Sequence, residues 1–207
     1  MLHSLSLITG ASIHASDGAI GSVSDFYFED STWTIRYLVV DAGNWLARRH
    51  VLLAVSAVDQ IDWDKPDFRV RLTRDQVRHS PDIDTQKPVS RQQEIAMHRY
   101  FGWPTYWNVR FPTGRYTAEM EYPSDTQGDP HLRSAWHISG YSVWARDGEV
   151  GKIEDYVMDD GAWHINYLIV EAGNWLNARS LLVSTHGVES ISWANRRLDL
   201  SAPRVAV

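Results

Sequence analysis

The chain has 207 residues, 43% hydrophobic and 22% charged, so it is long enough for one large or two small domains and too apolar for a disordered chain. Its formal net charge is -6, every segment is mildly acidic, and the absence of clustered Lys and Arg excludes nucleic-acid binding. The absence of Cys excludes disulfides, thiolate nucleophiles and cysteine metal sites.

The membrane and export signals of the sequence are also weak. No apolar run approaches the roughly 20 residues that cross a bilayer. The first residues lack the basic and apolar regions of a signal peptide. Together with the absent Cys, this favours a cytoplasmic protein without membrane insertion.

An internal duplication organises the chain. Residues 8–70 align with residues 138–200 at a constant offset of 130, without a gap. The segment Ala42–Leu46 recurs letter for letter as Ala172–Leu176. Because the match has no gap, we expect strands and loops of equal length in the two copies.

Each copy begins with a hairpin signal. Asp17-Gly18 and Asp147-Gly148 are typical of a type I′ turn, in which both central residues need positive φ. Gly21 and Gly151 follow, and we interpret them as turn or bulge residues.

The middle of each copy predicts a central strand. From Trp33 to Val40 the apolar residues first alternate and then become continuous, so the strand starts half exposed and ends buried on both sides. We expect five or six short antiparallel strands per copy. Closure into a small barrel would remove the exposed sheet edges.

The best functional candidates in the repeat are two loop pairs that follow this strand, Asn44-Trp45 and Asn174-Trp175. Such a Trp is either a lid on its own module, the reading we favour, or an anchor for another surface. As anchors, the two copies could use these residues against each other about a pseudo-two-fold axis.

The connector between the copies predicts one short α-helix. Ser90 followed by Gln93 is a capping-box pattern, and Gly102 suits the residue after the last turn, so we expect a helix over about 91–101. Residues 108–131 predict an extended link. The helix exit is rich in aromatic residues, including Trp103, Tyr106 and Trp107. This apolar surface must pack on the seam of the two barrels or on a second chain, and we expect a homodimer.

Catalytic and metal chemistry finds no support in the residue pattern. The nine His form no closed ligand motif, and the glycines match no phosphate-binding loop. The repeated acids Asp17/Asp147, Asp25/Asp155, Asp30/Asp160 and Asp41/Glu171 fall mainly in turns and at strand ends, where they serve the backbone. We therefore expect no catalytic residue, no metal and no cofactor.

At these residues the chain resembles the PRC-barrel family. The pattern is Gly10, Asp17-Gly18, Gly21, Asp25-Phe26 and Trp33–Val40, and it occurs again from Gly140 to Val170. The resemblance covers both copies, and residues 88–94 and 101–107 also resemble a segment of two-barrel relatives. It implies a mainly β fold with two small PRC-like barrels in tandem, at 1–72 and 132–207, joined by a connector at 73–131.

The family resemblance implies a docking role. Reaction-centre H subunits cap the cytoplasmic face of a membrane complex with such a barrel, and the ribosome maturation factor M group docks on a ribosomal protein. We expect this chain to have neither the membrane-spanning helix of the former nor the preceding domain of the latter, so neither specific function is carried over.

Our leading hypothesis is a non-enzymatic interaction module that docks on a cytoplasmic protein or makes peripheral contact with a membrane complex. The alternative is a small-molecule binder or enzyme that uses an aromatic pocket between the barrels.

Overall fold

The computed structural model describes residues 1–47, 49–81, 89, 91–107, 132–173 and 179–204. These residues are mainly β, as predicted, and their strands join one mixed sheet. The strands are β1 Leu2–Ser4, β2 Ser12–Ala15, β3 Gly18–Glu29, β4 Thr34–Asp41, β5 His50–Ala54, β6 Val58–Asp62, β7 Asp67–Val70, β8 Leu132–Ser134, β9 Ser142–Ala145, β10 Gly148–Asp159, β11 His164–Ala172, β12 Arg179–Ser184, β13 Val188–Ser192 and β14 Arg197–Leu200. The α-helices are α1 Leu5–Ile8, α2 Arg74–Arg78, α3 Arg91–Phe101 and α4 Ala135–Ile138.

The two copies pair their strands in the same way. In the first copy β2 pairs antiparallel with β3 and parallel with β7, while β4 lies between β3 and β5. In the second copy β9, β10, β14, β11 and β12 repeat these pairings. Identical strand order is what the gapless repeat predicted.

Closure of each copy into a barrel is not confirmed. The hydrogen-bonded path through the described residues runs β13-β14-β9-β10-β11-β4-β3-β2-β7-β6, so it has two ends and crosses from one copy to the other. The crossing lies between β4 and β11. There the backbone N–H of Ile35 donates to the Trp163 carbonyl at 2.7 Å, and the N–H of Ile165 donates to the Trp33 carbonyl at 2.8 Å.

The copies also exchange a short strand, which the sequence did not predict. β1, at the start of the first copy, pairs with β10 of the second copy, and β8, at the start of the second copy, pairs with β3 of the first. His3 on β1 lies 3.2 Å from a carboxylate oxygen of Asp160, and Arg133 on β8 lies 3.1 Å from one of Asp30. The exchange therefore follows a pseudo-two-fold axis.

The hydrophobic core is continuous across the exchange. One cluster joins Phe26, Ile35 and Leu38 of the first copy to Tyr156 and Leu168 of the second. The first-copy and second-copy sheets therefore share one interior.

The predicted hairpins are present, but the predicted turn type is wrong. Ala15 pairs with Gly18, so the turn residues are Ser16 and Asp17, and only Gly18 has positive φ, at +142°. The Asp17 carboxylate instead accepts the backbone N–H of Arg74 at 2.7 Å. The second copy repeats the arrangement with Asp147, Gly148 (φ +144°) and the N–H of Arg204.

Gly21 directly follows a bulge in β3, and a close backbone contact gives a reason for glycine at this position. Ile13 pairs with Gly21 and His14 pairs with Ala19, so Ile20 is the extra residue of a bulge. A Cβ on Gly21 would lie 2.0 Å from the carbonyl oxygen of Asp41. Gly151 has the same relation to Glu171, at 2.1 Å. These glycines allow the backbones of two adjacent strands to approach each other closely.

The connector contains the helix that was predicted and one that was not. α3 spans the predicted range, and Gly102 follows it at φ +70°. α2 begins after Thr73, whose side chain and that of Gln76 form a capping box. The predicted N-cap Ser90 and the predicted link over 108–131 lie outside the described residues. No helix in the described ranges is long and apolar enough to cross a membrane.

Candidate functional site: two related sheet faces

An apolar patch forms on the outer side of the first-copy sheet. Alternate residues of neighbouring strands share a face, and Tyr37 lies in register with Tyr27 and Ala54, while Val39 lies opposite Leu52. We call this patch the first-copy face, and its residues are Tyr27, Tyr37, Val39, Leu52, Ala54 and Leu132. α3 covers the face, and Met97 and Val89 are buried against it with 1% exposure each.

A buried polar contact fixes α3 on this face. The Tyr37 hydroxyl donates to Oε1 of Glu94 at 2.7 Å and lies 2.8 Å from Nε2 of His98. Glu94 and His98 are four residues apart, so both side chains point to the same side of the helix. The three side chains therefore form one buried polar group in which Glu94 and His98 both lie within hydrogen-bond distance of the Tyr37 hydroxyl.

The predicted interaction residues of the connector come together around His98. The ring of Trp107 lies 4.7 Å from that imidazole and the ring of Trp103 lies 5.6 Å from it. The Tyr106 hydroxyl also donates to Glu94. Trp103, Tyr106 and Trp107 are all half-buried. Their rings therefore pack on their own chain and close the end of the α3 contact.

Trp45 lies elsewhere and acts as a lid on its own module. Its indole N–H donates to the carbonyl of Ile20, and the Arg74 guanidinium lies 4.4 Å from its ring centre. The side chain packs against the core of the first copy, while Asn44 is exposed. The repeat partners Asn174 and Trp175 lie outside the described residues.

The second copy carries the same patch, and no helix within the described ranges covers it in the way that α3 covers the first-copy face. We call it the second-copy face, and its residues occupy the positions of the first-copy face at the offset of 130: Val157, Tyr167, Ile169, Leu182, Ser184 and Leu2. Leu182 is 58% exposed and Leu2 is 53% exposed, whereas their counterparts Leu52 and Leu132 are 1% and 3% exposed. Equivalent positions are therefore core in one copy and surface in the other.

Sequence reasoning missed this face because it aligned the copies without comparing their surroundings. The signal was available: the alternation along the predicted central strand is the same in both copies, and the connector helix occurs between them. Because a helix buries the apolar face of one copy, the equivalent apolar face of the other copy is expected to bind a comparable element.

A groove lies where the two copies meet beside α4, and it borders the first-copy face, since Tyr27, Val39 and Leu132 are among its walls. It has a volume of about 820 Å³, and its walls include Asp25, Tyr27, His50, Trp136, Tyr141 and Trp193. Asp25 is the acid among the residues that line this groove. Its carboxylate accepts from the Ser134 hydroxyl and from the backbone N–H of Trp136, so it holds the exchanged β8 and α4 in place. The counterpart Asp155 accepts from Ser4 and Ser6 in the same way.

We predict a pH dependence of stability that arises from Asp25. Burial raises the pKa of this carboxyl above the ordinary 3.8, although the hydrogen bond from Ser134 and the N–H groups of Trp136 and Phe26 oppose the shift. A raised folded-state pKa means that Asp25 contributes stability below its unfolded pKa, and that this contribution is lost as pH rises through the folded pKa. Asp25→Asn keeps an acceptor oxygen and cannot ionise, so it should remove this loss.

The measurement is the free energy of urea unfolding for wild type and Asp25→Asn at a series of pH values. The series starts near the ordinary pKa of 3.8 and extends upward, because the folded-state pKa lies above that value. Other titrating groups cancel in the difference between the two proteins. We expect the variant to gain on wild type as pH rises. A difference that stays constant across the series would contradict the assignment.

Metal ligation finds no geometric support in the described ranges, which contain no cluster of three or more His, Asp or Glu able to hold an ion.

Taken together, the described residues define a mainly β chain, built by duplication, in which an outer sheet face binds a helix. No family model matches the chain, and no curated protein matches it.

Proposed function

We propose that the chain is a non-enzymatic docking module and that its second-copy face binds another protein. The observation that carries this proposal is the contrast between the two faces. The same six positions are covered by α3 in the first copy and include two strongly exposed leucines in the second.

The energetic argument is that exposed leucines on a contiguous face favour association. Burial of one leucine side chain is worth about 1.5 to 3 kcal/mol, and grouped apolar surface marks interaction sites more reliably than scattered residues. Leu182 lies directly opposite Ile169 in the strand register, and Tyr167 lies beside Val157. A partner could bury these residues together.

The PRC-barrel resemblance supports the same class of function, because the docking members of that family bind proteins through the barrel. In this proposal residues 1–72 and 132–207 are two PRC-like barrels that exchange β1 and β8. The partner would be a cytoplasmic protein or a membrane complex contacted at its surface.

The homodimer stays a prediction, but the structure alters the argument on which it rested. It rested on uncovered connector aromatics, and Trp103, Tyr106 and Trp107 contact α3 of their own chain. A second copy is therefore one outcome that the experiment below must detect, rather than the partner that we propose.

A second candidate function is small-molecule binding in the groove beside α4. Its volume of about 820 Å³ and its aromatic walls fit a ligand pocket. Asp25, however, is already engaged by Ser134 and Trp136.

Site-specific photocrosslinking in the native host tests the docking proposal. A benzophenone amino acid at position 182 should give an adduct of discrete mass, because that side chain lies in the proposed interface. The matched control is position 136 on α4, which packs on the first-copy sheet and where the native Trp is 77% exposed. Leu2→Glu should suppress the adduct from position 182.

Two outcomes would contradict the proposal: no adduct from position 182, or equal adducts from positions 182 and 136. An adduct of twice the chain mass would identify the partner as a second copy.

A further inference from the structure

We propose that the second-copy face binds an amphipathic helix whose carboxylate side chain accepts a hydrogen bond from the Tyr167 hydroxyl. This inference rests on the docking function proposed above and names the kind of partner. The juxtaposition that carries it is Tyr37 beneath Glu94 of α3 in one copy and Tyr167 among exposed apolar residues in the other.

The two faces offer the same backbone platform. Tyr37 pairs with Tyr27 and Ala54 across the sheet, and Tyr167 pairs with Val157 and Ser184. The second pair of positions agrees as well, with Val39 opposite Leu52 and Ile169 opposite Leu182. Since α3 lies across this register in the first copy, the second copy presents side chains at the spacing that accepts a helix.

Tyrosine is the polar anchor of that platform. Apart from Tyr167, the second-copy face is built of Val, Ile, Leu and Ser, so Tyr167 contributes its strongest directional group. In the first copy the hydroxyl meets an acid and an imidazole one helical turn apart. A helix that covers Tyr167 must supply an acceptor to that hydroxyl, and a carboxylate gives the stronger, charge-assisted bond.

Two sequence differences between the faces determine how the partner helix must differ from α3. Val157 replaces Tyr27, which removes an aromatic ring beside the anchor, so the partner needs a bulkier side chain there than α3 does. Asn166 replaces Arg36, whose guanidinium lies 4.1 Å from the Tyr106 ring in the first copy. The partner therefore does not need the aromatic exit that follows α3.

An extended peptide would bind in a different place. Strand addition uses the backbone groups of a sheet edge, whereas the second-copy face presents side chains of strands that are already paired. Binding of an extended segment would thus depend on the edge of β12 and not on the Tyr167 hydroxyl. This difference separates the two modes experimentally.

The probe is a fluorescein-labelled peptide with the sequence of residues 89–107, which contains α3, titrated with the full chain and followed by anisotropy. We expect saturable binding that Leu182→Glu weakens by at least about tenfold and Tyr167→Phe by about fivefold to tenfold. Trp136→Glu, at an apolar residue that is 77% exposed and lies beside the first-copy sheet, should leave binding unchanged. Circular dichroism checks that each variant is folded.

A peptide with Glu94→Gln completes a double-mutant cycle. The peptide change should weaken binding to wild type and have little further effect on the Tyr167→Phe chain, because the two groups form one bond. If Leu182→Glu left peptide affinity unchanged, the peptide would bind to another surface, for example to the first-copy face after displacing the chain's own α3. That result would overturn the inference.

The two proposals can fail separately. Absence of peptide binding, together with a position-182 adduct in the crosslinking experiment, overturns the helix and leaves the docking function standing. Absence of both overturns the docking function as well.

Discussion

Replacement of Gly21 by alanine is expected to lower the free energy of unfolding by about 4 kcal/mol or more, a large part of the roughly 5 to 15 kcal/mol that stabilises a typical native protein. A Cβ at this position would lie 2.0 Å from the Asp41 carbonyl oxygen and 2.9 Å from Cα of Ala42. Both neighbours are backbone atoms of β4 and its end, so no side-chain rotation relieves the contact. The measurement is urea unfolding followed by tryptophan fluorescence.

The internal duplication and an unrelated glycine supply the controls. Gly151→Ala should repeat the loss, since its Cβ would lie 2.1 Å from the Glu171 carbonyl. Gly187→Ala should change stability by no more than about 1 kcal/mol, because nothing lies within 4 Å of the added atom. If Gly21→Ala lowered the free energy of unfolding as little as Gly187→Ala, the close approach of the β3 and β4 backbones would be wrong.

The second large effect is expected for Tyr37→Phe, which should cost about 2 to 3 kcal/mol. The substitution removes the hydroxyl that donates to Glu94 and lies 2.8 Å from Nε2 of His98, and both of those side chains are buried. The loss should fall on α3. Amide hydrogen exchange should therefore speed up in residues 91–101 before it speeds up in β4.

The matched control is Tyr167→Phe, at the same position of the second copy. Tyr167 is half-buried on the uncovered face, so the isolated chain should lose less than about 0.5 kcal/mol. Equal losses for Tyr37→Phe and Tyr167→Phe, or unchanged exchange of α3 in Tyr37→Phe, would show that the hydroxyl does not hold the helix.

Local patterns predicted the local structure well. Apolar alternation from Trp33 to Val40 indicated the central strand, and Gly102 indicated the end of α3. The helix α2 was within reach of the same reasoning, because Thr73 and Gln76 have the spacing that was recognised at Ser90 and Gln93. It was overlooked because its five residues carry no apolar stripe.

The strand exchange could not be predicted, and the reason is the duplication itself. β1 could pair with β3 of its own copy or with β10, because the two strands have similar sequences and the same register. Sequence periodicity indicates which face of a strand is buried, but it does not indicate which of two equivalent strands is the pairing partner. The choice depends on the path of the chain and on long-range contacts such as that of His3 with Asp160.

The candidate site was predicted in part. The aromatic exit of α3 was expected to require a cover, and Trp103 and Trp107 do pack, but around His98 of their own chain. Glu94 and His98 were not singled out, since an acid and a His on a short helix are ordinary surface residues in sequence. Their burial depends on the Tyr37 hydroxyl, which only the folded chain brings to them.

The exchange of β1 and β8 has a consequence for how such a chain could arise. In a molecule that held one copy, the three-residue β1 could pair with the β3 of a second such molecule, and two such molecules would complete each other about a true two-fold axis. Fusion of the copies makes that assembly independent of concentration, since the partner is always tethered. It also frees two surfaces that were once identical to diverge, so that one could acquire a permanent occupant while the other remained open.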